Sequence, residues 1–292
     1  MIKDGTYYDL PEQDYHDDPA LGSSDIVNLT IDPGEYWANS HFNPNRPPDT
    51  DTDTDATSFG RILHNAFLFP GRDTFTTKPQ GVSFATKYGK QWKADALERG
   101  DIILTDEQSR TMTNCAMVLR EVGVVAAIGR GKSEVSHFWT GKDGIRRKIR
   151  IDSYSEDAPL DLKFYANQMH HEPDVAVARQ IASYRYHIKA VWYADGLVSM
   201  GHEAGFSPIY VFVDKSAPII RSRRFSERTS GGDRNEYWIA ARNQINLALT
   251  KYRDIEQAEP GSLSWMQTPY IKNFADEDFG SVRWIMDAAE WG

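Results

Sequence analysis

Two carboxylates and an ammonium group lie close together in the segments Arg146-Arg-Lys-Ile-Arg-Ile-Asp152 and Leu160-Asp161-Leu162-Lys163. Side chains alternate along a strand, so Asp161 and Lys163 share one face while Leu160 and Leu162 enter the core. A hairpin joining the two segments brings Asp152 beside Asp161. Carboxylates at that separation repel, and a divalent cation between them removes the cost. Oxygen ligands of this kind suit Mg²⁺, with Mn²⁺ as a substitute. An ion held there lowers the pKa of bound water and stabilises charge on a phosphodiester oxygen. Lys163 is placed to orient the attacking water or to offset developing negative charge. Glu134, on the preceding predicted strand, offers a third carboxylate. On the strand that ends at Asp152, Arg146, Lys148 and Arg150 share a face. That face either meets phosphates through backbone contacts or pairs with acidic residues elsewhere in the chain.

The elements that must hold these groups can be read from the apolar spacing. A helix is predicted over 57–69, carrying His64 and ended by Pro70-Gly71. A loop with Trp92 follows, then a long helix from Asp106 to Ile128. Strands are predicted over 134–139, 145–154 and 160–164. A helix over 173–193 leads to a buried strand over 207–213, with 219–224 as its partner, and a helix over 234–255. This order, αβββαβ, predicts an α/β fold with a mixed central sheet flanked by helices and a helical crossover. Residues 1–56 read as an acidic, partly irregular segment packed on the core, and 57–256 as the main domain. Residues 257–292 read as a tail of unassigned role. Residues 44–57 are expected to form a solvated loop. Its Asp51-Thr-Asp53-Thr-Asp55 run resembles the start of a calcium loop, but Ala56 and Ile62 stand where glycine and glutamate are needed.

The 292 residues carry a net charge of -9, which by itself argues against a nucleic-acid partner. The charge is unevenly distributed. Residues 1–60 hold thirteen acids against Lys3 and Arg46, so the remainder is slightly basic, with clusters at 142–150 and 221–228. The single cysteine, Cys115, excludes an internal disulfide framework and any all-cysteine zinc or iron–sulfur site within this chain. No apolar run approaches a membrane span, and Met-Ile-Lys-Asp-Gly lacks the features of a signal peptide. A cytoplasmic address with no membrane partner is the expectation.

Further motifs carry a family resemblance. Tyr15, Leu21-Gly-Ser-Ser24 and Asp32-Pro33-Gly-Glu-Tyr36-Trp37 are similar to the opening of phage-type RecE-like exonuclease VIII proteins. Gly60-Arg-Ile-Leu-His64-Asn-Ala-Phe-Leu-Phe-Pro70 resembles that family's histidine helix. Glu134, Asp152 and Asp161-Leu-Lys163 match its PD-(D/E)xK core, and Tyr184–Tyr193 matches the helix that follows. The resemblance implies a Mg²⁺-dependent exodeoxyribonuclease that degrades duplex DNA from its ends, 5′ to 3′, in phage-type recombination within a bacterial host cell. It implies metal ligation by His64, Glu134, Asp152, Asp161 and the Leu162 carbonyl. A single-strand annealing protein and a homo-oligomeric ring are the partners it implies.

The chain departs from the family pattern at two points. Lys189 stands where glutamine usually precedes Tyr193 by four residues, so Lys189 and Tyr193 become candidate DNA contacts. Phe164 replaces the usual threonine after Lys163. Two other readings remain: a non-catalytic DNA-binding or scaffold protein that keeps the fold, and a restriction-type endonuclease. His170-His171 is expected in a solvated loop, because adjacent side chains diverge.

Overall fold

The computed structural model describes residues 1–40, 43, 46 and 55–258. The N-terminal segment forms β1 (Gly5–Tyr7), α1 (Glu12–Asp17), α2 (Ser23–Ile31) and α3 (Pro33–Asn39). Next come α4 (Asp55–Leu68), β2 (Phe75–Thr77), α5 (Lys87–Glu98), β3 (Ile102–Leu104), α6 (Asp106–Glu121) and α7 (Val124–Arg130). Three strands follow: β4 (Lys132–Thr140), β5 (Arg146–Tyr154) and β6 (Leu160–Tyr165). The described chain finishes with α8 (Pro173–Ser183), α9 (Tyr186–Ser199), β7 (Ile209–Asp214), β8 (Ile220–Arg224) and α10 (Glu236–Ala258).

Six strands form one sheet in the order β1-β4-β5-β6-β7-β8. Pairing is antiparallel except between β6 and β7, which are parallel and joined through α8 and α9. The expected mixed α/β sheet flanked by helices is therefore present. Ile149 and Ile151 of β5 pack with Trp192 and Leu197 of α9, Ile245 of α10, and Ile26 and Leu29 of α2. Leu160 and Leu162 of β6 pack with Leu68, Leu119 and Ile128 from α4, α6 and α7. The Trp192 indole N–H donates to the Lys148 carbonyl at 3.1 Å and ties α9 to β5.

Several expectations need correcting. The helix predicted over 106–128 is two helices at 77° to each other, broken where Gly123 takes φ +78°. The helix predicted over 173–193 is likewise split, with Arg185 at φ +51° between α8 and α9. The region around Trp92 is not a loop but α5, which lies between β2 and β3 of a small parallel pair. Within the segment read as partly irregular, β1 pairs with β4 to form the edge of the sheet, and α1 packs Tyr15 against Phe138. Residues 51–54 of the aspartate–threonine run, most of the loop expected over 44–57 and the tail beyond 258 lie outside the described residues, and 55–57, expected in that loop, begin α4. Among the described residues no single helix is long and apolar enough to cross a membrane.

Candidate metal centre

The pairing of β5 with β6 consists of one register pair, Ser153↔Leu160. That pair sets Asp152 opposite Asp161, and beyond it the strands part. Into the gap Leu162 donates its N–H to Asp152 Oδ2 at 2.7 Å. A strand residue directs its N–H and C=O to the same side, so the Leu162 carbonyl faces this gap too.

On the other side of β5, Glu134 of β4 lies between the pairs Ser133↔Ser153 and Val135↔Ile151, opposite Asp152. Its φ is +56°, a left-handed conformation within a strand. For a residue with a Cβ this costs roughly 1 kcal/mol or more. The ladder is interrupted there, and the carboxylate lies near that of Asp152. His64 arrives from α4, with Nε2 2.9 Å from Asp152 Oδ2 and Nδ1 3.9 Å from Glu134 Oε1. One donor atom each from His64, Glu134 and Asp152 lie within 4.8 Å of one another.

The electrostatics separate the acids. Burial opposes ionisation of Asp152, but Lys163, His64 and the Leu162 N–H reverse this and hold its pKa below the usual carboxylate range. Burial and the neighbouring Asp152 charge raise the Glu134 pKa, despite the opposing Arg150, whose Nε contacts Glu134 Oε2. Burial and Asp152 raise the Asp161 pKa as well, against Lys163. Burial disfavours a charged His64, but Asp152, together with Glu134, outweighs it, and the imidazole pKa stands above its ordinary value. Lys163 Nζ contacts Asp161 Oδ1 and lies 3.9 Å from Asp152 Oδ2. Burial alone would discharge this ammonium, but the two carboxylates keep it protonated.

The residues suit a hard divalent cation. One imidazole nitrogen and two carboxylate oxygens converge within 4.8 Å, a donor set of the kind that holds such an ion. Asp161, expected among the ligands, is not in this three-residue group; its Oδ1 contacts Lys163 Nζ.

A proton consequence follows. A protonated His64 competes with a cation, and its pKa is raised, so Mn²⁺ affinity should strengthen as pH rises through that raised value and weaken below it. Calorimetry in buffers of different ionisation enthalpy should show proton release on binding near pH 6.5. Binding that is independent of pH between 5.5 and 8 would remove His64 from the site. A second consequence concerns Glu134. Asparagine tolerates left-handed φ, so in EDTA Glu134→Asn should melt about 2–4 °C higher through relief of roughly 1 kcal/mol. A fall of several degrees would show that the Arg150 contact outweighs the strain.

The centre opens into a cavity of about 1110 Å³, whose walls include His64, Glu134, Arg150 and Lys163 together with Arg61, Arg72 and Lys132. The last three were not singled out in the sequence; only their scatter along it hid them. Of the two readings of the basic β5 face, contact with phosphate does not hold for Lys148 and Arg146, which are engaged by the N-terminal segment. Lys148 is buried, and its ammonium donates to the carbonyls of Tyr15 and Asp18, each at 2.7 Å. Arg146 binds Asp18 at 3.1 Å and the Ile2 carbonyl. Of the three residues, Arg150 alone lines the cavity. Tyr193 is buried, with its hydroxyl donating to the Arg150 carbonyl at 2.6 Å, so it supports β5. Lys189 lies with Nζ 5.6 Å from the centre of the Tyr186 ring, on which Lys163 also sits at 5.8 Å. His170 and His171 lie in the loop before α8, away from this cluster.

A family model described as a PDDEXK-like domain of unknown function (DUF3799) matches residues 38–259, most of the chain. The chain belongs to this family. No curated protein matches it. Membership in a PDDEXK-like family points to nuclease-type chemistry and the use of a divalent metal ion, which agrees with the donors that α4, β4 and β5 bring together. Within the matched region Asp161-Leu162-Lys163 lies on β6 and Asp152 on β5.

Proposed function

We propose that the protein is a divalent-metal-dependent deoxyribonuclease that degrades duplex DNA from its ends. The observation that carries this reading is the convergence of His64, Glu134 and Asp152 beside Lys163, on the wall of an open cavity that also holds Arg61, Arg72 and Lys132. The cation, when bound, activates water and neutralises charge on the phosphodiester. The chain's residues do the rest. Asp152 stays ionised and is oriented by the Leu162 N–H. Lys163, fixed between two carboxylates, presents a positive charge where negative charge grows on the scissile phosphate. Arg61, Arg72 and Lys132 engage neighbouring phosphates without reading bases. End dependence, 5′ to 3′ polarity, a ring assembly and a single-strand annealing partner are supported by the resemblance to RecE-like exonucleases.

Linear and covalently closed circular DNA of one sequence, incubated with Mg²⁺ or Mn²⁺, test the reading. Linear duplex should be degraded, and closed circles should survive. Cleavage of the circles would favour a restriction-type endonuclease. Carboxylate-dependent metal binding without loss of either DNA would favour a non-catalytic binding protein.

A further inference from the structure

The segment 78–93 contains Lys78, Lys87, Lys90 and Lys93 and no acid, in a chain of net charge -9. Aromatic residues alternate with these lysines in Phe84-Ala-Thr-Lys-Tyr88-Gly-Lys-Gln-Trp92-Lys93. The structure gathers them on α5 and the turn before it. Phe84 and Trp92 stack at 6.1 Å, and Lys78 and Lys93 lie over the Phe84 ring at 5.4 and 5.5 Å. Tyr88 is 65% exposed. Lys87, Lys90 and Lys93 follow at three-residue spacing on successive turns of α5.

The charge on this helix is costly for the fold alone. The first turn of α5 contains no acid and begins with Lys87, so positive charge sits at the positive end of the helix dipole. The acids of α5, Asp95 and Glu98, stand in its last turn, away from Lys87, and Asp101 beyond the helix pairs with Arg99. The turn is also held firmly. Gly89 packs so closely on it that a Cβ there would lie 2.0 Å from the Ser83 carbonyl oxygen. The buried side of α5, with Gly89 and Ala96, faces the protein, so it offers no continuous apolar stripe for a lipid surface.

The platform is joined to the metal centre. Phe59 and Leu63 of α4, the helix that carries His64, pack with Phe75 of β2 and Ile102 and Leu104 of β3, the strands that flank α5. Arg72, in the cavity wall, lies three residues before β2.

We propose that α5 and its preceding turn hold a single-stranded stretch of DNA outside the cleft, with phosphates on Lys87, Lys90 and Lys93 and bases against Tyr88 and Phe84. The assignment rests on the deoxyribonuclease reading for its substrate, and it fits a nuclease that leaves one strand of a duplex unpaired. Lysine–phosphate pairs give affinity without sequence, and base–aromatic stacking accepts any base.

The test is fluorescence anisotropy of 5′-fluorescein-labelled (dT)30 with the full chain in EDTA. The triple variant Lys87→Ser, Lys90→Ser, Lys93→Ser should bind at least about tenfold more weakly, with a log–log salt slope shallower by about 2. Tyr88→Ala should weaken binding about tenfold and leave the slope unchanged. The triple Lys→Arg variant should keep wild-type affinity. Unchanged affinity and slope in the triple serine variant, with an unchanged melting temperature, would overturn the proposal. Lysine-dependent binding to phosphatidylserine vesicles without binding to (dT)30 would overturn it in favour of a lipid surface. Mn²⁺-dependent hydrolysis of bis(p-nitrophenyl) phosphate separates the two readings. Its presence in wild type and the triple serine variant alike, beside weakened (dT)30 binding, supports both. Its absence from wild type, with lysine-dependent binding intact, sinks the nuclease reading and leaves the strand platform standing.

Discussion

Asp152→Asn should lower Mg²⁺-dependent degradation of linear duplex DNA by about a thousandfold or more while leaving the fold in place. Asp152 is the one carboxylate that touches both the imidazole of His64 and the N–H of Leu162, and its ionisation is favoured by Lys163 beside it. Asparagine retains an oxygen to accept the Leu162 N–H, so the backbone gap between β5 and β6 has no reason to collapse. What is lost is the negative charge that attracts the cation. Mn²⁺ calorimetry should therefore show loss of binding in parallel with loss of activity, at a circular dichroism spectrum like that of wild type. Activity within a few fold of wild type would show that the chemistry lies elsewhere.

Lys163→Ala should reduce the same degradation about a hundred- to thousandfold, the range expected for removing one preorganised donor from developing charge. This variant should behave differently from Asp152→Asn toward metal and pH. Without the ammonium, Asp161 loses its cationic partner while Asp152 keeps His64, and breaking such a buried pair is destabilising. The metal-free variant should melt below wild type at pH 7.5. Glu134 and Asp161 already have raised pKa values, and removing Lys163 raises that of Asp161 further. An acid whose folded pKa exceeds its unfolded one binds its proton more tightly in the folded state, so stability returns as pH falls through the folded value. The gap in melting temperature should narrow toward pH 5, and Mn²⁺ should narrow it at pH 7.5. A variant that melts like wild type at every pH, or that keeps full activity, contradicts the position assigned to Lys163.

Much of the central sheet could be read before any coordinates. Period-two alternation around Ile149 and Ile151, and the apolar run Ile209–Val213, reflect burial that a strand imposes on its own sequence. The breaks in the helices could not be read. At Gly123 and Arg185 the apolar period continues across a turn that only a positive φ reveals. The acidic and basic residues of β6 were legible because alternation fixes their side of a strand. The close approach of Glu134 to Asp152 was legible only as strand order, since its left-handed backbone leaves no mark in residue type. His64 came from the family resemblance alone. The fate of Lys148 was hidden because burial of an ammonium depends on carbonyls more than a hundred residues away.

That ammonium has a consequence for where the folding unit begins. The match to the PDDEXK-like family starts at residue 38, but β1 zips onto the open margin of β4, and Leu21, Ile26 and Leu29 fill the space beneath β5, α9 and α10. A chain trimmed to the matched region would strip Lys148 of its carbonyl partners, bare the apolar surface that Leu21, Ile26 and Leu29 cover, and leave an unpaired sheet margin facing other molecules. The stretch that sequence similarity leaves out works as a clasp on the strand bearing Asp152, so alignment limits and the cooperative unit do not coincide in this protein.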